Sequence, residues 1–434
     1  MARRNALNRI LGIGVAVFLL SMAAGAQVLQ IAAIYQNTFG VNGIRGNRSV
    51  IVSADGKFAY ATGEGDSSVV VFSRDPATGF LAQIQQLQNA VGGIDGLRGA
   101  NTVRLSPNGK NLYATGFFGD ALAVFSVNTT TGLLTEIQVL KDNTTQVPDG
   151  LDGPLWIAVS DDGKNVYTTG FFDDSVVVFD RDRDTGLLTF RQLLKDGVGG
   201  VNGLNGAYAM FLDAKSKFLY VGGLDDGTIS VFRRGSHGSL SLVQEVRQGV
   251  GGITGLTGVR GLVGDADGNH LYAVSLDDSA LSTYDIDNGH GTLTQTQVIR
   301  DTDPGIDGLG GATGINITPD GRYVIATGFL ERKMSVWAVD RGCDDGDDLY
   351  RSNSNGGECD NSARGGIYQA NDHGNHGTGQ LTLAQLLVNL VDTPFGLNGP
   401  IDLNPSPDGC RIYSSSYNVH IILQWDVIGC TPAS

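Results

Sequence analysis

Thr169-Gly170-Phe171-Phe172-Asp173-Asp174-Ser175-Val176-Val177-Val178-Phe179, followed by Thr185-Gly186-Leu187-Leu188-Thr189, is one copy of a unit that recurs seven times. Each copy is preceded by a Gly-Leu/Ile-x-Gly connector, ending at Gly46, Gly99, Gly153, Gly206, Gly258, Gly311 and Gly399. The spacings are 53, 54, 53, 52, 53 and 88 residues. Fixed periods in this range are the signature of repeat architectures, in which one supersecondary unit is stacked on its copies.

Each connector leads into a short stretch with apolar residues at alternate positions, such as Val103 and Leu105, Ile157 and Val159, or Ile315 and Ile317. This period of two is that of a β-strand. Nine residues after each connector glycine stands a turn position: Asp55, Asn108, Asp162, Lys215, Asp267, Asp320 and Asp408, usually followed by Gly, as a tight hairpin requires. A second strand carries Tyr60, Tyr113, Tyr167, Tyr220, Tyr272, Ile325 and Tyr413 at one shared position. A third, rich in β-branched residues, closes on Phe72, Phe125, Phe179, Phe232, Tyr284, Trp337 and Trp425. A fourth begins at Thr-Gly-x-Leu or a close variant and places Gln four residues beyond the Leu, at Gln85, Gln138, Gln192, Gln244, Gln297 and Gln385.

Only six copies of the fourth strand follow a third strand, because the chain ends after the seventh third strand. Leu29 to Tyr35 lies at the right distance before the first connector to supply the missing one, with Ala32 expected in the Gln register. The fold class read from this pattern is all-β: a seven-bladed β-propeller, four antiparallel strands per blade, the last blade closed by the N-terminal strand. Closure leaves only short, protected sheet edges.

Residues 1–26 stand apart from the repeat. Arg3, Arg4 and Arg9 lead into the apolar run Ile10 to Met22 and then Ala24-Gly25-Ala26, the pattern of a cleaved export signal. Thirteen apolar residues fall short of the roughly 20 that a spanning helix needs. The expected product is an exported chain, periplasmic, secreted or at the cell surface, with the propeller over 27–434 and no membrane span after signal removal. The last spacing of 88 contains an insertion of about residues 342–377, polar and Gly-rich, in the turn between strands three and four of blade six.

The whole chain has 30 basic and 45 acidic residues, a net charge of −15. Loss of the signal removes three arginines and no acid. Nucleic acid is therefore excluded as a partner class. Four cysteines, Cys343, Cys359, Cys410 and Cys430, are an even number in an exported chain and point to two disulfides. Three pairings exist, and the short loops favour Cys343 with Cys359 and Cys410 with Cys430.

Leu-Tyr-Ala-Thr-Gly, Asp-Asp-Ser-Val-Val-Val-Phe and Asp-x-x-Thr-Gly-x-Leu-Thr, all in register, resemble the seven-bladed lactonase-type propellers (6-phosphogluconolactonase-like). More loosely they resemble the propellers named for a Tyr-Val-Thr-Asn repeat. The resemblance covers nearly all of residues 28 to 430. It implies a reaction centre at the axial mouth, where polar and basic side chains hold an anionic lactone. The connectors here depart from that pattern, using Gly-Leu-x-Gly where a Pro-Arg or Pro-His pair is often seen.

The connectors and the loops between strands two and three are expected on one face of the ring, the strand-three-to-four turns on the other. Arg45, Arg48, Arg98, Arg104 and Arg260 fall in connectors or innermost strands. Guanidinium forks there suit a carboxylate or phosphate over the axis; the alternative is pairing with connector acids such as Asp95. The loops carry a ring of carboxylates: Asp66, Asp120, Asp173, Asp174, Asp225, Asp226, Asp277, Asp278 and Glu331. These could hold Ca²⁺, although Asp in tight turns commonly bonds its own backbone. No cofactor is required by the pattern. In the insertion, Asp344, Asp345, Asp347 and Asp348, with Glu358, Asp372, His373 and His376, form a second candidate metal set. His237, His270 and His290 read as surface substitutions, which leaves no well-placed histidine base.

Two functions follow. The first is an exported interaction module that binds an unknown protein, a polymer or a small anionic ligand through its loops, the insertion foremost. The second is a lactone hydrolase in which axial arginines hold the anion and a carboxylate such as Asp174 orients water. Whether the chain is an enzyme is left open by its sequence.

Overall fold

The computed structural model describes residues 29–36, 40–341, 377–388 and 400–428. Within them 28 strands form seven four-stranded antiparallel sheets, with one 3-10 turn at Phe117–Gly119. Blade three is typical: from the axis outward it runs Pro154–Val159, Asn165–Gly170, Ser175–Arg181 and Leu188–Lys195. The inner strands of neighbouring blades pack side by side around the axis.

Apolar residues are buried between blades. One cluster joins Tyr113, Leu122 and Val124 of blade two to Ile157, Val177 and Phe179 of blade three, and comparable clusters fill the other seams. The repeated aromatic residues of strands two and three are among the largest fully buried side chains. A sheet buried on both faces this way reads as a near-continuous apolar run, which accounts for Val176-Val177-Val178-Phe179.

The repeated Gln has a structural role. Gln138 Oε1 accepts the Leu188 N–H at 2.8 Å while its Nε2 donates to the Leu188 carbonyl at 2.9 Å, clasping outer strand to outer strand across a seam. Gln85 with Leu134, Gln192 with Leu240, Gln244 with Leu293, Gln297 with Leu381 and Gln385 with Leu29 repeat the bond pair.

The ring closes as the missing strand requires: Leu29–Gln36 pairs antiparallel with Ile421–Val427. The register differs from expectation by one residue. Ala33, not Ala32, faces Gln424 at the Gln position, because Leu29 is the equivalent of the leucine that opens each outer strand, and the Gln site lies four residues on. With Ala33 in place of the outer-strand Gln, the clasp is rebuilt: the Tyr35 hydroxyl accepts the Leu81 N–H at 2.8 Å and donates to Gln424 Oε1 at 3.1 Å, and Gln424 Nε2 donates to the Thr78 carbonyl at 2.8 Å.

Residues 1–28, which include the expected export signal, and residues 342–376, which hold most of the insertion, lie outside the described residues. Cys343, Cys359 and Cys430 do too. Cys410 is buried at 3% exposure and is not a free thiol.

Candidate functional site at the axial mouth

The inner strands are interrupted near their starts. Pairing with the second strand slips between Ala100 and Val103, Pro154 and Ile157, Ala207 and Met210, Val259 and Gly261, and Pro400 and Leu403. Such bulges re-aim side chains, and here they contain Asn101, Trp156, Tyr208, Arg260 and Asp402. Arg48 stands at the equivalent point of blade one, just before Val50–Val52.

The Thr of Leu-Tyr-Ala-Thr-Gly holds several of these bulges. Thr169 Oγ1 accepts the Trp156 N–H of its own blade at 3.1 Å and donates to the Tyr208 carbonyl of the next at 3.4 Å. Thr62 and Thr115 do the same with Ser49 and Asn101, and with Thr102 and Leu155. Blade five has Val274 at this position and blade four Gly222, so the bulge bearing Arg260 lacks that hydroxyl on both sides.

Two groups of side chains meet at the mouth. In blades one and seven, Arg48 Nε donates to Glu64 Oε2 at 2.6 Å and its guanidinium carbon lies 4.2 Å from the Tyr417 ring centroid. The Tyr417 hydroxyl donates to Glu64 Oε1 at 2.8 Å. Burial, then Glu64, push the Tyr417 phenol above its usual range, so it stays a donor at neutral pH. In blades four and five, the Arg260 guanidinium carbon sits 4.7 Å from the Tyr208 ring centroid. Its Nε–H is buried and makes no hydrogen bond among the described residues. Burial opposes the charge of Arg48, and the Glu64 carboxylate that it bonds helps to hold its affinity for the proton above the usual range.

Deeper in the channel, a cavity of about 300 Å³ is lined by Arg104, Trp156, Met210, Phe211, Asn316 and Asp402 among others. Arg104 stacks 5.3 Å from the Trp156 centroid and donates to its neighbour's carbonyl, Val103, at 2.9 Å. Burial pulls its charge affinity down, partly countered by Asp402. Burial raises the Asp402 carboxyl, and Arg104 opposes the shift.

The other sequence candidates lie elsewhere. Arg45 is exposed, paired with Asp66 and with the Gly65 carbonyl. Arg98 is exposed on its connector. Asp95 pairs with Lys141 at 2.6 Å rather than with an arginine. Asp174 is a left-handed turn residue, φ 51°, whose Oδ1 accepts the Gly206 N–H at 2.8 Å. Asp66, Asp173, Asp226 and Asp278 accept the connector N–H groups of Arg45, Asp152, Asn205 and Thr257 at 2.8 to 3.4 Å. Among the described residues two sets of carboxylates converge, Asp142, Asp149 and Asp173, and Asp301, Asp307 and Glu331. Lys195 lies 2.9 Å from both Asp149 and Asp173, and Lys333 pairs with Asp307 and Glu331, so each set already holds one ammonium. The set Asp344, Asp345, Asp347 and Asp348 is outside the described residues. His237 and His290 are exposed, but His270 is not the surface substitution expected: it is buried, with Nδ1 2.8 Å from Asp265 Oδ2, because it packs under the strand-three-to-four turn of the next blade at Gly379.

Sequence reasoning missed Glu64, Tyr417, Tyr208, Trp156 and Asp402. The available signal was departure from the repeat: Glu64 and Tyr417 stand where the other blades have Phe117, Phe171, Leu224, Leu276 and Phe329.

Fold and mouth together define a seven-bladed propeller with arginine, tyrosine and glutamate side chains gathered at its axial opening. The chain belongs to the family described as Lactonase, 7-bladed beta-propeller, whose model matches residues 16–193, 140–254 and 212–345. Among curated proteins it is 28% identical over 141 residues to a 6-phosphogluconolactonase of Pectobacterium carotovorum, covering 32% of this chain and 40% of that protein. An uncharacterised protein of Lactococcus lactis is 27% identical over 168 residues, 39% of this chain and 46% of that one. The chain thus spans less than half the length of either relative. Among solved structures, a 6-phosphogluconolactonase-like protein of Bacteroides uniformis aligns with TM-score 0.55 at 20% identity over 71% of this chain and 84% of that one. The periplasmic gluconolactonase of Pseudomonas aeruginosa aligns with TM-score 0.55 at 21% identity over 67% and 80%. These likenesses are of fold.

Proposed function

We propose that the protein is a lactone hydrolase acting on an anionic lactone at the axial mouth. The observation that carries this reading is Arg260: a guanidinium held on Tyr208, with a buried N–H that lacks an acceptor among the described residues, at a mouth that also holds Arg48, Glu64 and Tyr417. A buried donor without an acceptor is unfavourable by about 1–3 kcal/mol, and a ligand carboxylate or phosphate removes that penalty. In this reading Arg260 holds the anion. Glu64 takes a proton from the attacking water, the water oxygen bonds the lactone carbonyl carbon, and the charge on the carbonyl oxygen is stabilised by Arg48. The ring C–O bond then breaks, and the leaving alkoxide takes the proton held by Glu64, giving the hydroxy acid and restoring the carboxylate. Asp174 is not given the water-orienting role, because its carboxylate serves the backbone.

Family membership and the gluconolactonase names of several relatives support this reading over a purely structural or interaction role. The interaction reading rests on the insertion, which is outside the described residues. Export on the strength of residues 1–26, and a Cys410–Cys430 disulfide in the exported chain, belong to the same proposal.

Hydrolysis of carboxylated and phosphorylated lactones by the mature protein, followed by pH-stat, tests it. Arg260→Gln is expected to lower kcat/KM roughly 100-fold on such substrates. No turnover of any of them by the unmodified protein defeats the proposal.

A further inference from the structure

The first residue after each second strand forms the rim of the mouth. In ring order the rim reads Glu64, Phe117, Phe171, Leu224, Leu276, Phe329 and Tyr417. Blades seven and one therefore supply a polar corner, and blades two to six an apolar arc. Packing requires only leucine here, as blades four and five show. Blades two and three instead carry two phenylalanines each, and their rings touch. Phe117 and Phe118 lie 5.1 Å apart edge to face, Phe171 and Phe172 5.1 Å, and Phe117 and Phe172 5.4 Å across the seam. Phe171 continues the series to Tyr208 at 6.2 Å, and Tyr208 carries Arg260. Phe118 and Phe172 remain 50% and 59% exposed.

An unbroken line of rings thus runs from solvent to a guanidinium with an open donor. Aromatic faces exposed to water are unfavourable, and aromatic groups attract one another beyond the area they bury. We infer that the ligand of this mouth is an anion bearing an aryl ring, its anionic group on Arg260 and its ring on the shelf formed by Phe117 and Phe171. The inference deepens the hydrolase reading by naming the substrate class, an arylated lactone acid in preference to a wholly polar sugar lactone.

Paraconate and γ-phenylparaconate, the same lactone acid without and with a phenyl group, are suitable probes. Calorimetry and hydrolysis are measured separately on the full-length mature protein. Two aromatic contacts are expected to favour the phenyl compound about 10-fold in Kd and in kcat/KM. The double variant Phe117→Leu and Phe171→Leu installs the residue that blades four and five tolerate at this position; its preference should fall to about 2-fold. Equal binding of the two probes by the unmodified protein, or an unchanged preference in the double variant, overturns the inference. A binding preference without hydrolysis of either probe sinks the hydrolase reading and leaves the aryl shelf standing. Equal hydrolysis does the reverse.

Discussion

Arg234, at the end of a third strand, donates to both carboxylate oxygens of Asp162 at 3.0 and 2.9 Å, to Tyr167 Oη at 2.8 Å and to Asn165 Oδ1 at 2.7 Å, so one side chain ties blade four to blade three. Burial alone would raise the Asp162 carboxyl, but hydrogen bonds from Ser160 and Arg234 outweigh it and hold the pKa at about 2, below its ordinary 3.8. A depressed folded-state pKa means the contribution is fully present above the unfolded value and is lost as pH falls through the folded one. The window is therefore from just above 3.8 down to about 2. Arg234→Gln should be less stable at neutral pH, and its urea midpoint should change less across that window than the parent's. An equal acid-induced drop in both proteins would show that this pair does not set the limb. Arg74 and Arg181 make the corresponding bonds to Tyr413 and Tyr113, whereas Tyr220 and Tyr272 have buried hydroxyls with no partner among the described residues.

At the scale of the strand, the glutamine clasp explains why outer strands, which are polar and partly exposed, stay in register with their neighbours. Gln138 satisfies both backbone groups of Leu188, the N–H and the carbonyl of the first residue of the neighbouring blade's outer strand. Gln138→Ala should lower stability by about 1–2 kcal/mol, visible as a lower urea midpoint with an unchanged slope. A changed slope instead would mean that the blade opens as a separate unit. The inner-strand bulges are the second element of consequence. They place polar and charged residues on the axis while the rest of each strand keeps its apolar contacts, so the site occupies interruptions of the ladder and leaves the core packing untouched.

Across the whole molecule, stability depends on closing the ring. Leu29–Gln36 buries Leu29, Ala33 and Tyr35 and covers the edge of Ile421–Val427. Its removal uncovers that edge, together with Gln424 and the Leu81 N–H that Tyr35 serves. Deleting residues 29–36 should lower the melting temperature by many degrees and promote association through the free edge. Tyr35→Phe, which keeps the strand and removes one hydroxyl, should lose only about 1 kcal/mol. A deletion variant that melts like the parent would show that closure is dispensable.

The architecture was legible because each of its determinants is local and repeated: glycine connectors, hairpin turns, β-branched third strands and a glutamine at a constant offset. Periodicity also exposed the missing strand, since six outer strands for seven blades leave one position that only the N-terminus can fill. The Gln register of that strand, Ala33, was not readable, because it is fixed by pairing across the closure and not by a repeat of the motif. Nor was the mouth. Arg48, Glu64, Tyr208, Arg260 and Tyr417 are separated by up to most of the chain and come together only because the ring returns blade seven to blade one and the bulges turn side chains toward the axis. Among arginines equally conspicuous in the sequence, Arg45 lies in solvent against Asp66, while Arg260 keeps a buried donor open. Local pattern sets which residues form strands and turns; which of the remaining side chains are desolvated and which find partners depends on contacts that exist only once the ring has closed.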